Sequence, residues 1–207
     1  KIGYEILDQG GNAFDAAVAI SAALSVVEPY SSGLGGGGFF LFYDDNREDT
    51  VFIDAREKAP SQAYREMYLD DDGNVIRTAS LDGPLSSGIP GLPAALHHIS
   101  NKYGTLPLHS LLEPAILLAR DGFPTYERLI TALRVAEKSR TLSPKFKEIF
   151  MPNGKLPIVG QTIKQPELSK TLETLATLGH EGFYNSALTK TMVDEAKKEG
   201  SIWNMED

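Results

Sequence analysis

Four histidines, a few loop serines, one strand-end arginine and a glycine pattern carry whatever chemistry this sequence can do. The glycines stand in Tyr30–Asp44, YSSGLGGGGFFLFYD, where Gly33, Gly35 and Gly38 spell G-x-G-x-x-G. A dinucleotide loop with that spacing must follow a strand and open a helix, because the helix N-terminus holds the pyrophosphate. Here the order is helix, glycines, strand, and no Gly-Lys-Ser/Thr follows, so both phosphate readings fail. What remains is steric: glycine lets the chain take unusual backbone angles, or lets another backbone approach closely. His97, His98, His109 and His180 show no i, i+4 pair, which excludes a helical metal pair such as H-E-x-x-H. They read as solvated or packed side chains. Ser31, Ser32, Ser86 and Ser87 lie in loops with no histidine base implied nearby, and no G-x-S-x-G elbow exists.

Arg56, in IDAREKAP, is the side chain with the clearest chemical use. Its planar fork matches a carboxylate through two parallel hydrogen bonds, and a strand end is a rigid place from which to hold a ligand. The competing use is an internal ion pair with Asp54 or Glu57. On the face shared with Phe52 and Asp54, Arg56 should project from a rather buried strand. Asp70, Asp72 and Asn74 alternate as in a calcium loop, but Gly73 stands at the wrong position and no Glu sits at the twelfth. LDDDGN is read as a turn.

These residues need elements to position them. Gly10-Gly11 stops a first helix over Lys1–Gln9, and Asn12 caps a second, with Asp15 in its first turn. That second helix, NAFDAAVAISAALSVV, is small-residue on nearly every face and should be buried against a sheet; Pro29 ends it. GFFLFYD and TVFIDAR form a hairpin across the polar DNRED. Val51, Ile53 and Ala55 share one face of its second strand. Apolar stripes then predict helices ending at Gly104, Gly122, Gly179 and Gly200, with a weaker one over Tyr126–Glu137. Ser143–Gln165 should be mostly irregular, with at most a short strand. The expected fold class is α+β, mostly helical with a β-hairpin: one domain over 1–207, with a helix-hairpin region 1–60 and a helical region 90–207. Two strands make a poor sheet alone, and both ends look cut, so the chain reads as a piece of a longer protein.

Bulk properties narrow the function. The 207 residues are 42% hydrophobic and 23% charged, an ordinary globular balance with room for a core. A net charge of −8, with no basic run, argues against nucleic-acid binding. The absence of cysteine excludes disulfides, thiolate nucleophiles and Cys-based metal sites, and leaves the redox compartment open. No apolar run is long enough for a membrane span, and there is no signal peptide pattern.

In this order, GYEILDQGGNAFDAAVAISAALSVVEPYSSGLGGGGFFLFYD, FIDAREKAP, GIPGLPAALHHISNKYGTLPLHSLLEPAILLARDGF and QPELSKTLETLATLGHEGFY resemble the gamma-glutamyltranspeptidase family over most of the chain. GGNAFDAAVA and SGLGGGGF are the specific blocks. The resemblance implies an N-terminal-nucleophile hydrolase, an αββα sandwich of two antiparallel sheets between helical layers. It implies a self-cleaving precursor whose new N-terminal threonine, heading a small subunit, attacks the γ-glutamyl carbonyl of glutathione or a similar donor. Its own α-amino group can serve as base. Neither a metal nor an organic cofactor is implied. This sequence matches only the N-terminal part of the large subunit, so the nucleophile and oxyanion hole are expected outside it. No catalytic residue is assigned within 1–207. The family's R-E-x-A-P arginine, which clamps the donor's α-carboxylate, matches Arg56. The implied partners are a γ-glutamyl small molecule and the small subunit of the same precursor; the implied location is periplasmic or extracellular. Relatives with other substrates, the cephalosporin or glutaryl acylases and poly-γ-glutamate depolymerases, are not separated by this sequence. A non-catalytic helical binding module is the rival of another class; a threonine and a Gly-Gly-Ser-Pro-Gly-Gly-like block downstream of Asp207 would decide against it.

Overall fold

A computed structural model describes all residues from Lys1 to Asp207. Helix α1 (Ile2–Asp8) turns through Gly10, at φ 88°, into α2 (Ala13–Val27). The Asn12 side chain accepts the Asp15 N–H at 3.0 Å while Asp15 Oδ2 accepts the Asn12 N–H at 2.9 Å. This reciprocal box satisfies donors that a helix start leaves free. Asp15 is wholly buried and does more: its carboxylate also accepts the Thr105 N–H at 3.0 Å and the Thr105 hydroxyl at 2.7 Å. Asn12 Nδ2 donates to the Tyr103 carbonyl at 2.7 Å. One cap thus fixes α2 against a turn 90 residues away. Gly104 permits it, since a Cβ there would stand 2.5 Å from Asp15 Oδ1.

The other end of α2 is held by side chains too. Gln165 Nε2 donates to the Val26 carbonyl at 2.8 Å, and the Tyr126 hydroxyl donates to Val27 at 2.9 Å. These bonds satisfy carbonyls that a helix end leaves without partners. The expected packing of α2 on a sheet is corrected: its main neighbours are α1, α3 (Leu92–Tyr103) and α4 (Leu108–Asp121). The small residues serve helix–helix approach, and Phe14 reaches the hairpin through Phe42, ring to ring at 4.5 Å.

Strands β1 (Gly38–Asp44) and β2 (Asp49–Ala55) form the expected antiparallel hairpin, in register from Gly38 opposite Ala55 to Asp44 opposite Asp49. Val51, Ile53 and Ala55 face inward as their alternation requires. The opposite face is open: Phe39, Leu41, Tyr43 and Phe52 are 58–70% exposed. The expectation that Arg56 leaves a rather buried strand is therefore corrected, because its own face is the exposed one.

Beyond a long loop, α3 and α4 follow their apolar stripes. They lead to α5 (Glu127–Ser139), α7 (Pro166–Tyr184) and α8 (Ala187–Lys198). Two features, a helix in Ser143–Gln165 and the course of α7, depart from the sequence reading, and the short strand expected within Ser143–Gln165 is present at Thr162–Ile163. Ser143–Gln165 contains a helix, α6 (Pro144–Phe150), with the Ser143 hydroxyl capping the Phe146 N–H and Pro144 at its first position. A two-residue pair, β3 (Phe123–Pro124) with β4 (Thr162–Ile163), closes that region. And α7 does not stop at Gly179: it kinks there, at φ 59°, and resumes to Tyr184. One buried cluster runs from Ile6 to Phe183, with Leu96, Ile99, Leu111, Leu112, Leu172 and Leu175 at its centre. Each such side chain contributes about 1.5–3 kcal/mol by leaving water.

Candidate functional site

The chain turns sharply after Ala55. Asp54 Oδ1 accepts the Arg56 N–H at 2.9 Å, which ends the strand and swings the Arg56 side chain outward. Its Nε donates to Glu57 Oε2 at 3.1 Å, so the internal ion pair weighed from spacing does form, with Glu57 as the partner. That bond uses one edge of the guanidinium. Neither Nη nitrogen makes a hydrogen bond, and the carbon between them lies 5.9 Å from the centre of the Phe39 ring. An aromatic backing and a carboxylate on Nε leave the two-nitrogen end, the one that matches a carboxylate, presented outward.

The glycines hold this strand end in place. A Cβ at Gly37 or at Gly91 would overlap the Ala55 carbonyl oxygen, and one at Gly91 would also sit 2.7 Å from the Arg56 carbonyl. Gly36 accepts the N–H groups of both Gly91 and Leu92 at 3.0 Å. Lys58 and Ile89 exchange a pair of backbone bonds, at 3.2 and 2.8 Å. The backbone of 36–37 and that of 89–91 therefore close on the root of Arg56. The steric reading holds at Gly37, whose neighbour is β2's end, and Gly36 meets the 89–91 loop through its carbonyl, whereas a Cβ at Gly33, Gly35 or Gly38 would crowd nothing. Tyr184 locks that loop in turn: its hydroxyl donates to the Pro90 carbonyl at 2.8 Å and accepts the Ala94 N–H at 3.2 Å. Burial pushes the Tyr184 phenol up to about 12, the Ala94 N–H pulling the other way. Gly91→Ala should cost about 1–3 kcal/mol in denaturant unfolding, because the backbone must open by the width of a methyl group. It should also displace Arg56.

Arg56 is among the residues lining a cleft of ≈ 1270 Å³ between this strand end, α3 and the last turn of α7. His97, His98 and His180 line its far wall, brought together across two helices although their spacing gave no sign of it. His97 packs on the Gly179 kink, where a Cβ would meet its ring at 2.7 Å. Burial, then the neighbouring His180 and His98, pulls its imidazole below the ordinary value. His109 is exposed on α4, away from the cleft. The loop serines touch no histidine; Ser86 donates to the Gly83 carbonyl. Asp70 is occupied by the N–H groups of Asp72 and Asn74, as a turn requires, and the Asn74 N–H leads in holding its carboxyl low.

Residues from the other end of the chain also reach this place. Trp203, Asn204 and Asp207 dock on the segments flanking Arg56, and Met205–Asp207 line the cleft. The sequence reading assigns no role to this segment.

A sequence profile for gamma-glutamyltranspeptidase matches residues 1–207. The glutathione hydrolase proenzyme of Escherichia coli (strain K12) is 40% identical over 208 residues, covering 100% of this chain and 36% of that protein. The corresponding proenzyme of Bacillus subtilis (strain 168) is 38% identical over 210 residues, with 100% and 35% covered. The crystal structure of Helicobacter pylori gamma-glutamyltranspeptidase superimposes with a TM-score of 0.95 at 39% identity, covering 100% of this chain and 59% of that one. The chain spans about a third of the length of the curated relatives it matches.

Proposed function

This chain belongs to the gamma-glutamyltranspeptidase family, and we propose that it is the N-terminal part of the large subunit of an enzyme that transfers or hydrolyses γ-glutamyl groups. Glutathione and related γ-glutamyl compounds are the donors in this reading. The observation that carries it is the state of Arg56: its Nε is held by Glu57, its paired Nη end is free, and its backbone is clamped by glycines beside an open cleft. That arrangement is built for a carboxylate, and the donor's α-carboxylate is the charge that a γ-glutamyl enzyme must hold away from the scissile carbonyl. Arg56 then anchors the donor while the acyl transfer is performed elsewhere, by a threonine outside residues 1–207 whose α-amino group serves as base. The acyl-enzyme passes to water or to an amino acid or peptide.

The open hairpin face supports the larger architecture. Phe39, Leu41, Tyr43 and Phe52 form an apolar surface of the kind a second sheet covers in a sandwich. We therefore assign the hairpin to one sheet of an αββα sandwich, completed by the rest of the large subunit and by the small subunit. Residues 1–207 act as a single unit within it. Export to the periplasm or the cell exterior belongs to the same reading; no helix here is long and apolar enough to cross a membrane.

The test is turnover of a γ-glutamyl anilide by the longer protein and by residues 1–207 alone. The longer protein should release the aniline once it has cleaved itself before a threonine, and the 207-residue chain should release none. Turnover by the short chain would place the nucleophile inside it. A cleaved, folded, two-subunit protein without turnover would refute the assigned activity.

A further inference from the structure

Residues 201–207 leave α8 and cross back to the strand end that bears Arg56. Trp203 Nε1 donates to the Ser87 carbonyl at 3.0 Å. Asn204 Nδ2 donates to the Ser61 hydroxyl at 2.8 Å, and Asp207 Oδ1 accepts the Ser61 N–H at 2.7 Å. The crossing segment is itself folded: Asp207 Oδ2 accepts the Asn204 N–H at 2.9 Å, and Asn204 Oδ1 accepts the Glu206 N–H at 2.7 Å. It therefore presents fixed donors and acceptors instead of loose ones. Its two anchor points, Ser61 and Ser87, flank the Lys58–Ile89 backbone pair, which in turn flanks Arg56 and the Gly91 clamp. Burial opposes ionisation of Asp207. The Ser61 and Asn204 N–H groups, the Ser61 hydroxyl and the Lys58 charge outweigh it and hold the carboxyl below its usual value.

We propose that Asn204 and Asp207 are positioning residues for donor binding: through Ser61 they fix the loop after Arg56, and so the aim of its guanidinium at the substrate carboxylate. This rests on the carboxylate-holding reading of Arg56. The effect of Asn204 and Asp207 should pass wholly through Arg56, which distinguishes positioning from general stabilisation.

The experiment is a cycle in the longer, active enzyme, reading donor KM and kcat together with a melting curve. Asp207→Ala should raise donor KM about tenfold with kcat within about twofold. Asp207→Asn, which keeps an oxygen for the Ser61 N–H, should recover most of that. In an Arg56→Ala background, Asp207→Ala should raise KM no further, since coupled residues are not additive. An equal rise in both backgrounds, or no rise in the presence of Arg56, overturns the proposal. Should Asp207→Ala fail to fold, Asn204→Ala removes two exposed hydrogen bonds, to the Ser61 hydroxyl and from the Glu206 N–H, and carries the same comparison, with an expected rise of about threefold. An unchanged KM in Arg56→Ala itself would instead refute the proposed role of Arg56, whatever the tail variants do.

Discussion

Replacing Arg56 by alanine should raise the KM for a γ-glutamyl donor about 10- to 100-fold and leave kcat nearly unchanged. The size follows from the geometry. A charge-assisted pair of hydrogen bonds to a carboxylate contributes about 1.5–3 kcal/mol, and a factor of ten corresponds to about 1.4 kcal/mol. The split between KM and kcat follows from chemistry. The α-carboxylate is separated by three carbons from the carbonyl that reacts and keeps its charge throughout, so an arginine that holds it, the role proposed for Arg56, should bind ground state and transition state alike. Arg56→Lys should recover only part of the loss, because an ammonium is a point charge without the planar fork. Glu57 would keep a cationic neighbour in the lysine variant and none in the alanine variant, a further reason for the difference. Steady-state kinetics over a range of donor concentrations settles it. A large fall in kcat with KM constant would mean that Arg56 acts on the reacting centre.

Replacing Asp15 by alanine should destabilise the fold by about 3 kcal/mol or more in urea unfolding. The side chain is fully buried and accepts from the Asn12 N–H, the Thr105 N–H and the Thr105 hydroxyl. Alanine leaves these donors inside the protein without partners, which costs more than the bonds themselves contribute. It also removes the carboxylate half of the capping box of α2, the helix around which α1, α3 and α4 pack, while the Asn12 side chain keeps the residue-15 N–H. Asp15→Asn should be nearly as damaging, since one of its two heads would turn an N–H donor toward N–H donors. A loss below about 1 kcal/mol would show that water replaces the carboxylate at no great cost.

Asp15 also shows where sequence reading ends. Asn12 and Asp15 are legible as a local cap because the pattern is four residues long. The second half of the same carboxylate's work, at Thr105, joins residues 90 apart and has no local signature. The glycine run follows the same rule. Its failure as a phosphate loop is decided by the order helix, glycines, strand. That its neighbours are the Ala55 carbonyl and the 89–91 loop depends on tertiary packing alone. Helix α6 is short and lies in a Pro-, Gly- and Lys-rich stretch whose composition masks the Ser143–Pro144 start. Helix α7 passes its glycine because His97 packs against the kink and Tyr184, beyond it, is tied to Pro90. Arg56 itself was legible from residue type and place on the strand. Its pairing with Glu57, the Phe39 ring behind it and the strap from Asn204 and Asp207 needed the folded chain.

The central claim is that Arg56 holds the donor's α-carboxylate. It is tested most directly by comparing a γ-glutamyl donor with its analogue lacking that carboxylate, in the unaltered enzyme and in Arg56→Ala. The unaltered enzyme should prefer the carboxylate-bearing donor by about 10- to 100-fold in kcat/KM, and Arg56→Ala should lose that preference while treating the decarboxylated analogue as the parent does. A preference that survives intact in Arg56→Ala would contradict the account.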